Sequence, residues 1–150
     1  MALLNYTTQV DADKTAAEIA TMLRKAGAQA VLTEYDPKGE YVSALSFRID
    51  LNGQMLQFRL PTNPDPVLET LLRQKAAGKW SSKRGAPDHA QAVRVAWRIV
   101  KDWTAAQLAL IETRMVSAPQ AFLQYAVMKD GRTLAEKMAQ EPGFLLGDGK

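Results

Sequence analysis

Basic residues that could bind phosphate groups are concentrated in the middle third of the chain. The segment 73–103 holds eight Lys or Arg and two Asp residues, a net charge of +6, whereas the rest of the chain has a net charge of −3. Guanidinium groups bind phosphate oxygens in pairs, and ammonium groups attract them as point charges. A local positive field of this kind favours nucleic acid, a phosphorylated nucleotide or an acidic protein as partner.

The candidate binding residues form one group in and beside a loop and a second group on a helix. Trp80 stands among the loop cations, where it is placed either to stack on a base or to pack the loop onto the core. The alternative for the whole set is a solvated helix face and a basic loop without a ligand. The predicted site consists of Arg73, Lys75, Lys79, Trp80, Lys83, Arg84, Arg94, Arg98 and Lys101.

Residues suited to catalysis or metal binding are scarce. His89 is the single histidine and there is no cysteine, so a zinc ion would have to be held by carboxylates alone. Glu34, Asp36 and Glu40 form an acidic cluster that could hold Mg²⁺, but carboxylates beside a turn are commonplace. No phosphate-binding loop, dinucleotide fingerprint or nucleophile elbow is present. We therefore expect a protein that is not an enzyme and that holds no cofactor and no metal.

A long helix over 88–115 is the element that must position the second group of cations. Asp88 is a suitable N-cap, and Gln91 three residues later could reach back to complete a capping box. At 100° per residue, Trp97 and Trp103 fall in an apolar arc that is wider than one buried stripe, which predicts a helix covered on several sides. The three cations at 94, 98 and 101 fall together on the opposite side and form a predicted basic ridge.

The N-terminal third predicts two strands with a helix between them. The strands are Leu3–Val10 and Ala28–Tyr35, both rich in β-branched or aromatic residues. Thr15 and Glu18 have the spacing of a capping box, which predicts that the intervening helix begins there. Gly27 suits the end of that helix.

The dipeptide Asn52-Gly53 predicts a type I′ hairpin between strands 42–50 and 54–60. A two-residue loop then determines the register of the two strands. The predicted core-facing pairs are Ile49 with Leu56, Phe47 with Phe58, and Leu45 with Leu60. The opposite face carries polar residues, so we expect helices to cover one side of the sheet.

Three further helices are predicted besides the N-terminal helix and the long one. Asp65 is expected to cap a short helix with Pro66 at its first position, and a second helix is expected over 119–128. Thr133 and Glu136 predict a capping box for the last helix. The chain is therefore expected to form one two-layer α+β domain over 1–150. Its elements begin in the order β-α-β-β-β-α, its sheet is antiparallel, and its C-terminal half is helical. The loop 76–87 is the one place suited to a sub-boundary.

Several strings of the sequence resemble a family of small bacteriophage and prophage proteins without an assigned function. They are VLTEYD, LSFRI, FRLP, AVRVAWRIVKDWTAAQLALIE and DGRTLAE, and the resemblance covers about residues 5–138. The resemblance implies a mobile-element origin and action in the bacterial cytoplasm, and it supplies no site residues. A cytoplasmic location and no membrane association are also expected because the chain lacks a signal-peptide pattern and a run of roughly 20 apolar residues.

Three functions remain open from the sequence. The first is a non-enzymatic protein that binds nucleic acid through the basic surface, single-stranded or without sequence preference. The second is a pocket that sequesters a phosphorylated nucleotide signal of host immunity. The third is an interaction module that inhibits an acidic host protein. The sequence does not determine the oligomeric state, and a homo-oligomer is among the states left open.

Overall fold

The computed structural model describes residues 1–80, 85–141 and 143, which form an α+β fold with a helical C-terminal half. The sheet of the described residues has three strands rather than the four predicted. A 3₁₀ turn over Leu123–Tyr125 follows the fourth helix. The strands are β1 (Ala30–Tyr35), β2 (Val42–Leu51) and β3 (Gln54–Arg59), and the helices are α1 (Ala12–Lys25), α2 (Pro64–Ala76), α3 (His89–Glu112), α4 (Ala118–Phe122) and α5 (Leu134–Gln140).

The predicted hairpin and its register are confirmed. Asn52 and Gly53 both have positive φ, at 54° and 81°, as a type I′ turn requires. Phe47 lies opposite Phe58 with ring centroids 5.3 Å apart, and both are buried. On the opposite, polar face Asp50, Met55 and Gln57 are exposed, whereas Ser46 is buried.

The long helix α3 is covered on several sides, as predicted. It packs against α1, α2 and α4, and Trp97 is 1% exposed. The indole nitrogen of Trp97 donates a hydrogen bond of 2.9 Å to the carbonyl oxygen of Val42, which ties the helix to the start of β2. The Asp88 carboxylate accepts the backbone N–H of Gln91, so the predicted N-cap is confirmed.

The predicted strand Leu3–Val10 is wrong. This N-terminal segment follows turns with Asn5 at φ 62° and lies across α2 and α3. The side-chain amide of Gln91 donates to the carbonyl oxygens of Tyr6 and Thr8, both at 2.9 Å. Contacts made by α3 therefore outweigh the β propensity of the segment, and Gln91 does not reach back to complete the predicted capping box.

Other helix boundaries differ from the predictions because different residues cap them. The first helix begins at Ala12 after Asp11, which leaves Thr15 buried in the second turn rather than at the cap. The N-cap of α2 is Asn63 rather than Asp65, with its side chain accepting the N–H of Asp65. The helix predicted over 119–128 is shorter than expected: α4 ends at Phe122, and the 3₁₀ turn Leu123–Tyr125 follows it.

The predicted capping box of the last helix is present. Thr133 accepts the N–H of Glu136, and the glutamate side chain accepts the N–H of Thr133. This local pattern thus sets the start of α5. The assignment of the whole chain to one domain stays a prediction.

Candidate nucleic-acid interface

Three of the predicted cations lie at the C-terminal end of α2. Arg73 and Lys75 belong to its last turn, and Lys79 follows two residues after the C-cap. All three are exposed. The chain leaves the helix through Gly78, whose φ of 77° allows the N–H of Lys79 to return to the carbonyl oxygen of Gln74 at 2.8 Å. Positive charge at this end also complements the helix dipole. We call Arg73, Lys75 and Lys79 the α2 cluster.

The α2 cluster is not neutralised by carboxylates among the described residues. No ion pair joins any of its three cations to an Asp or Glu there, and Arg73 donates only to the Thr70 hydroxyl, at 3.4 Å. The α-amino group of Met1 lies beside Lys79. Contact with Lys79 and the repulsion between the two positive charges lower the pKa of that amino group. The end of α2 therefore presents like charges in proximity, an arrangement that favours anions.

The predicted ridge on α3 is partly neutralised. One carboxylate oxygen of Glu18, on α1, lies 3.0 Å from Nη1 of Arg98 and 2.5 Å from Nζ of Lys101. The hydrogen bond from Lys101, supported by Arg98, holds the pKa of Glu18 below its usual range. Arg94 instead donates two hydrogen bonds to the side-chain oxygen of Gln91. The ridge keeps a net charge of about +2 and is not a free row of three cations.

Trp80 packs onto neighbouring residues, which does not favour its interpretation as an exposed base-stacking group. Its ring lies 5.5 Å from that of Tyr6, centroid to centroid, and its indole nitrogen donates to the carbonyl oxygen of Gly85 at 2.6 Å. It also contacts the small apolar cluster formed by Leu71 of α2 with Ala92 and Val95 of α3. The position of Trp80 favours the packing role that the sequence left open.

The nine predicted site residues are thus distributed over different supports. The α2 cluster lies on one helix, and the cations at 94, 98 and 101 lie on α3, two of them bound to α1. Lys83 and Arg84 lie outside the described residues, so their participation stays a prediction. The sequence reasoning missed the ion pairs of Glu18, because Glu18 was assigned to a capping box. One signal pointed to them: Arg98 and Lys101 lie one helical turn apart, so a single carboxylate can bind both.

Five cavities among the described residues do not gather several cations at one point. Each of these cavities is lined by a single Lys or Arg. Arg94 lines two of them, of about 410 and 310 Å³, but Asp11, Asp13 and Glu40 share the larger and Asp88 the smaller. Carboxylates repel the phosphates of a nucleotide, so this geometry is unfavourable for a nucleotide-sequestering pocket.

The acidic residues near the turn after β1 stabilise that turn. The strand β1 ends at Tyr35, so Asp36 lies just beyond it, and the Asp36 carboxylate accepts the backbone N–H groups of Lys38, Glu40 and Tyr41. Burial alone would raise the pKa of Asp36, but the backbone N–H groups of Tyr41, Glu40 and Lys38 hold it below its usual value. Within the described residues, no group of three or more His, Asp or Glu side chains could hold a metal ion.

The single histidine lies in the first turn of α3 and is exposed. The ring of His89 contacts that of Tyr41, with centroids 5.6 Å apart. This contact gives His89 a packing partner at the start of α3.

No known protein family, curated protein or solved structure matches this chain. The resemblance to small bacteriophage and prophage proteins therefore stays a prediction. Among residues 1–80, 85–141 and 143, no helix combines the length and the apolar character needed to cross a membrane.

Proposed function

We propose that the protein is a non-enzymatic binding protein that holds nucleic acid through the α2 cluster. The observation that carries the proposal is the group of three exposed cations, Arg73, Lys75 and Lys79, without a paired carboxylate among the described residues. Each cation that neutralises a phosphate releases a condensed counterion, which makes binding favourable and dependent on salt.

The proposed contact is with the phosphate backbone rather than with bases. Trp80, the large aromatic residue next to the cluster, is half-buried, packs against Tyr6 and donates to the carbonyl oxygen of Gly85. We expect recognition through charge, largely independent of sequence, because phosphate contacts carry no base information. The residual charge of the α3 ridge adds a weaker second contact.

The proposal is tested by fluorescence anisotropy with labelled single-stranded and double-stranded oligonucleotides over a salt series. The variant R73A/K75A/K79A removes the α2 cluster, and we expect the slope of log affinity against log salt to fall in magnitude by about 2 on single strands. The charge-matched control R24A/K25A/K129A removes three exposed cations elsewhere and is expected to change the slope far less. Equal effects of the two variants, or an unchanged slope in the first, would contradict the proposal.

The α3 ridge is tested separately from the α2 cluster. R94A/R98A/K101A is expected to reduce the slope by less than the cluster variant does, because Glu18 already neutralises part of the ridge. Glu18→Gln should increase affinity at low salt by removing that competing carboxylate. No change in affinity in either variant would exclude the ridge as a second contact.

The resemblance noted in the sequence supports placing this activity in the cytoplasm of a bacterial host, in the service of a bacteriophage or prophage. An acidic host protein would present charge similar to that of nucleic acid. A pull-down from bacterial lysate, with and without nuclease, separates the two, since a protein partner survives nuclease. Tight 1:1 binding of a cyclic oligonucleotide or an ADP-ribose derivative that persists in salt would instead indicate the nucleotide-sequestering function.

A further inference from the structure

The two edges of the sheet differ in how they are covered. Along β3, Ala126 forms an antiparallel bridge with Phe58, and the N–H of Val127 donates to the carbonyl oxygen of Gln57 at 2.8 Å. Along β1, no further strand pairs with the outer edge among the described residues. The six residues of β1 therefore leave an open row of backbone donors and acceptors, which is a template for another strand.

The open edge also carries exposed apolar side chains. Leu32 is 55% exposed and Tyr35 is 58% exposed, although both lie in a strand. Monomeric proteins usually protect such an edge with Lys, Pro or a bulge within the strand. Here β1 has a single charged residue, Glu34, and no extra residue of its own; the register shift opposite Glu34 and Tyr35 leaves out Ser43 of β2. The middle of the edge, Val31 to Thr33, thus carries no charged side chain.

We propose that β1 pairs antiparallel with β1 of a second copy of this chain, with Leu32 at the two-fold axis. In this register Leu32 lies opposite Leu32 of the second copy, and Ala30 lies opposite Glu34. The two sheets become one of six strands, and the two exposed leucines cover each other on the same face. The interface belongs to this edge and is independent of the α2 cluster.

Charge complementarity supports the second copy as occupant. Arg48 of β2 lies beside Ala30 of β1, on the face that carries Leu32 and Glu34. Its Nε atom is buried and has no hydrogen-bond partner among the described residues. Strands are spaced by roughly 4.8 Å, so Arg48 can extend across the small Ala30 side chain and reach Glu34 of the second copy. The two-fold axis makes this contact twice.

A shallow cavity beside the edge fits the same arrangement. It has a volume of about 280 Å³, and Ala30, Leu32 and Arg48 line it. An apolar side chain from the second copy would fill space that the monomer leaves open to solvent. A six-residue strand buries a small area, so we expect a dimer that forms in the micromolar range rather than an obligate one.

The proposal is tested by sedimentation equilibrium of the intact chain across the micromolar range. We expect a monomer–dimer equilibrium that Leu32→Lys weakens at least tenfold. The matched control is Met55→Lys, on the same face and 58% exposed but on the covered strand β3, which should leave the equilibrium unchanged. A monomer at every concentration, or a dimer that Leu32→Lys does not affect, would overturn the proposal.

A second test reads the register directly. The chain has no cysteine, so Leu32→Cys introduces a single thiol. A short bismaleimide should then cross-link this variant into a dimer, and the Met55→Cys control should stay uncross-linked. Glu34→Arg and Arg48→Glu should each weaken the dimer, and the double variant should restore it. Failure of restoration together with failure of cross-linking would exclude the Leu32-centred register.

Discussion

A carboxylate oxygen of Glu18 on α1 lies 3.0 Å from Nη1 of Arg98 on α3, and the same oxygen also accepts a hydrogen bond from Nζ of Lys101. This one acid joins two helices through two cations that the sequence placed on an open ridge. The α3 ridge is therefore first a structural element at the α1–α3 contact, and only its remaining charge is available to a partner. That division is the reason for proposing the α2 cluster, rather than the α3 ridge, as the main binding surface.

The Glu18 contact predicts a pH dependence of stability. Because Lys101 and Arg98 hold the pKa of Glu18 below its usual value in the folded state, their stabilising effect is present above the ordinary carboxylate pKa and is lost as the pH falls through the lowered one. Glu18→Gln should lower the free energy of unfolding at neutral pH by up to about 1 kcal/mol, since solvent screens this partly exposed group. The difference in free energy of unfolding between Glu18→Gln and wild type should disappear at acidic pH.

Urea denaturation at a series of pH values measures this difference. Glu69→Gln is a suitable control, because Glu69 on α2 is exposed and forms no ion pair within the described residues. A Glu18→Gln effect that stays constant down to strongly acidic pH would show that the ion pairs are not its origin.

Gln91 is predicted to hold the N-terminal segment in place. Gln91→Ala removes both hydrogen bonds to the carbonyl oxygens of Tyr6 and Thr8, which lowers the local opening free energy by about 1–3 kcal/mol. Amide hydrogen exchange at Tyr6 and Thr8 should accelerate by roughly ten- to a hundredfold. Gln57→Ala, at an exposed position on β3, is the control, and equal exchange in the two variants would argue against this role.

Trp97 is predicted to stabilise the fold beyond the burial of its ring. Trp97→Phe removes the donor that satisfies the Val42 carbonyl and leaves a small cavity, with an expected loss of about 2–4 kcal/mol. Trp103→Phe should cost less than half as much, because Trp103 is half-buried and packs edge-on against Phe122 and Tyr125. Chemical denaturation measures the loss in free energy of unfolding of both variants. Similar losses would contradict the role assigned to the hydrogen bond of Trp97.

Trp80 is predicted to act in stability and not in base stacking. Trp80→Ala should lower the free energy of unfolding by about 1–3 kcal/mol through lost packing on Tyr6 and on the α2–α3 cluster. Its effect on oligonucleotide affinity should be less than twofold. A base-stacking role would instead cost about 1–3 kcal/mol of binding free energy. Anisotropy at fixed salt decides between them, with Trp80→Phe as the variant that retains an aromatic ring.

Some elements could be predicted because their determinants are close in sequence. Asn52 and Gly53 alone set the hairpin register, since only a few dipeptides accept two consecutive positive φ angles. Asp88 set the start of α3, and Thr133 with Glu136 set the start of α5, because a cap and its partner lie three residues apart. The burial of Trp97 followed from helical periodicity.

Other features depend on residues far apart in the chain, and local patterns were misleading there. The segment Leu3–Val10 has strand propensity, yet Gln91, more than 80 residues away, binds its carbonyls and holds it in turns. Thr15 and Glu18 match the pattern of a capping box, yet Thr15 is buried and Glu18 forms ion pairs with Arg98 and Lys101 of α3.

The sequence by itself thus determined the α+β class, the central tryptophan helix and the excess of positive charge over 73–103. Tertiary structure alone decided which of those charges are neutralised and which strand edge is left open. The physical reason is range: caps, turns and helical periodicity act over a few residues, whereas an ion pair or a strand edge depends on which distant segments the fold brings together.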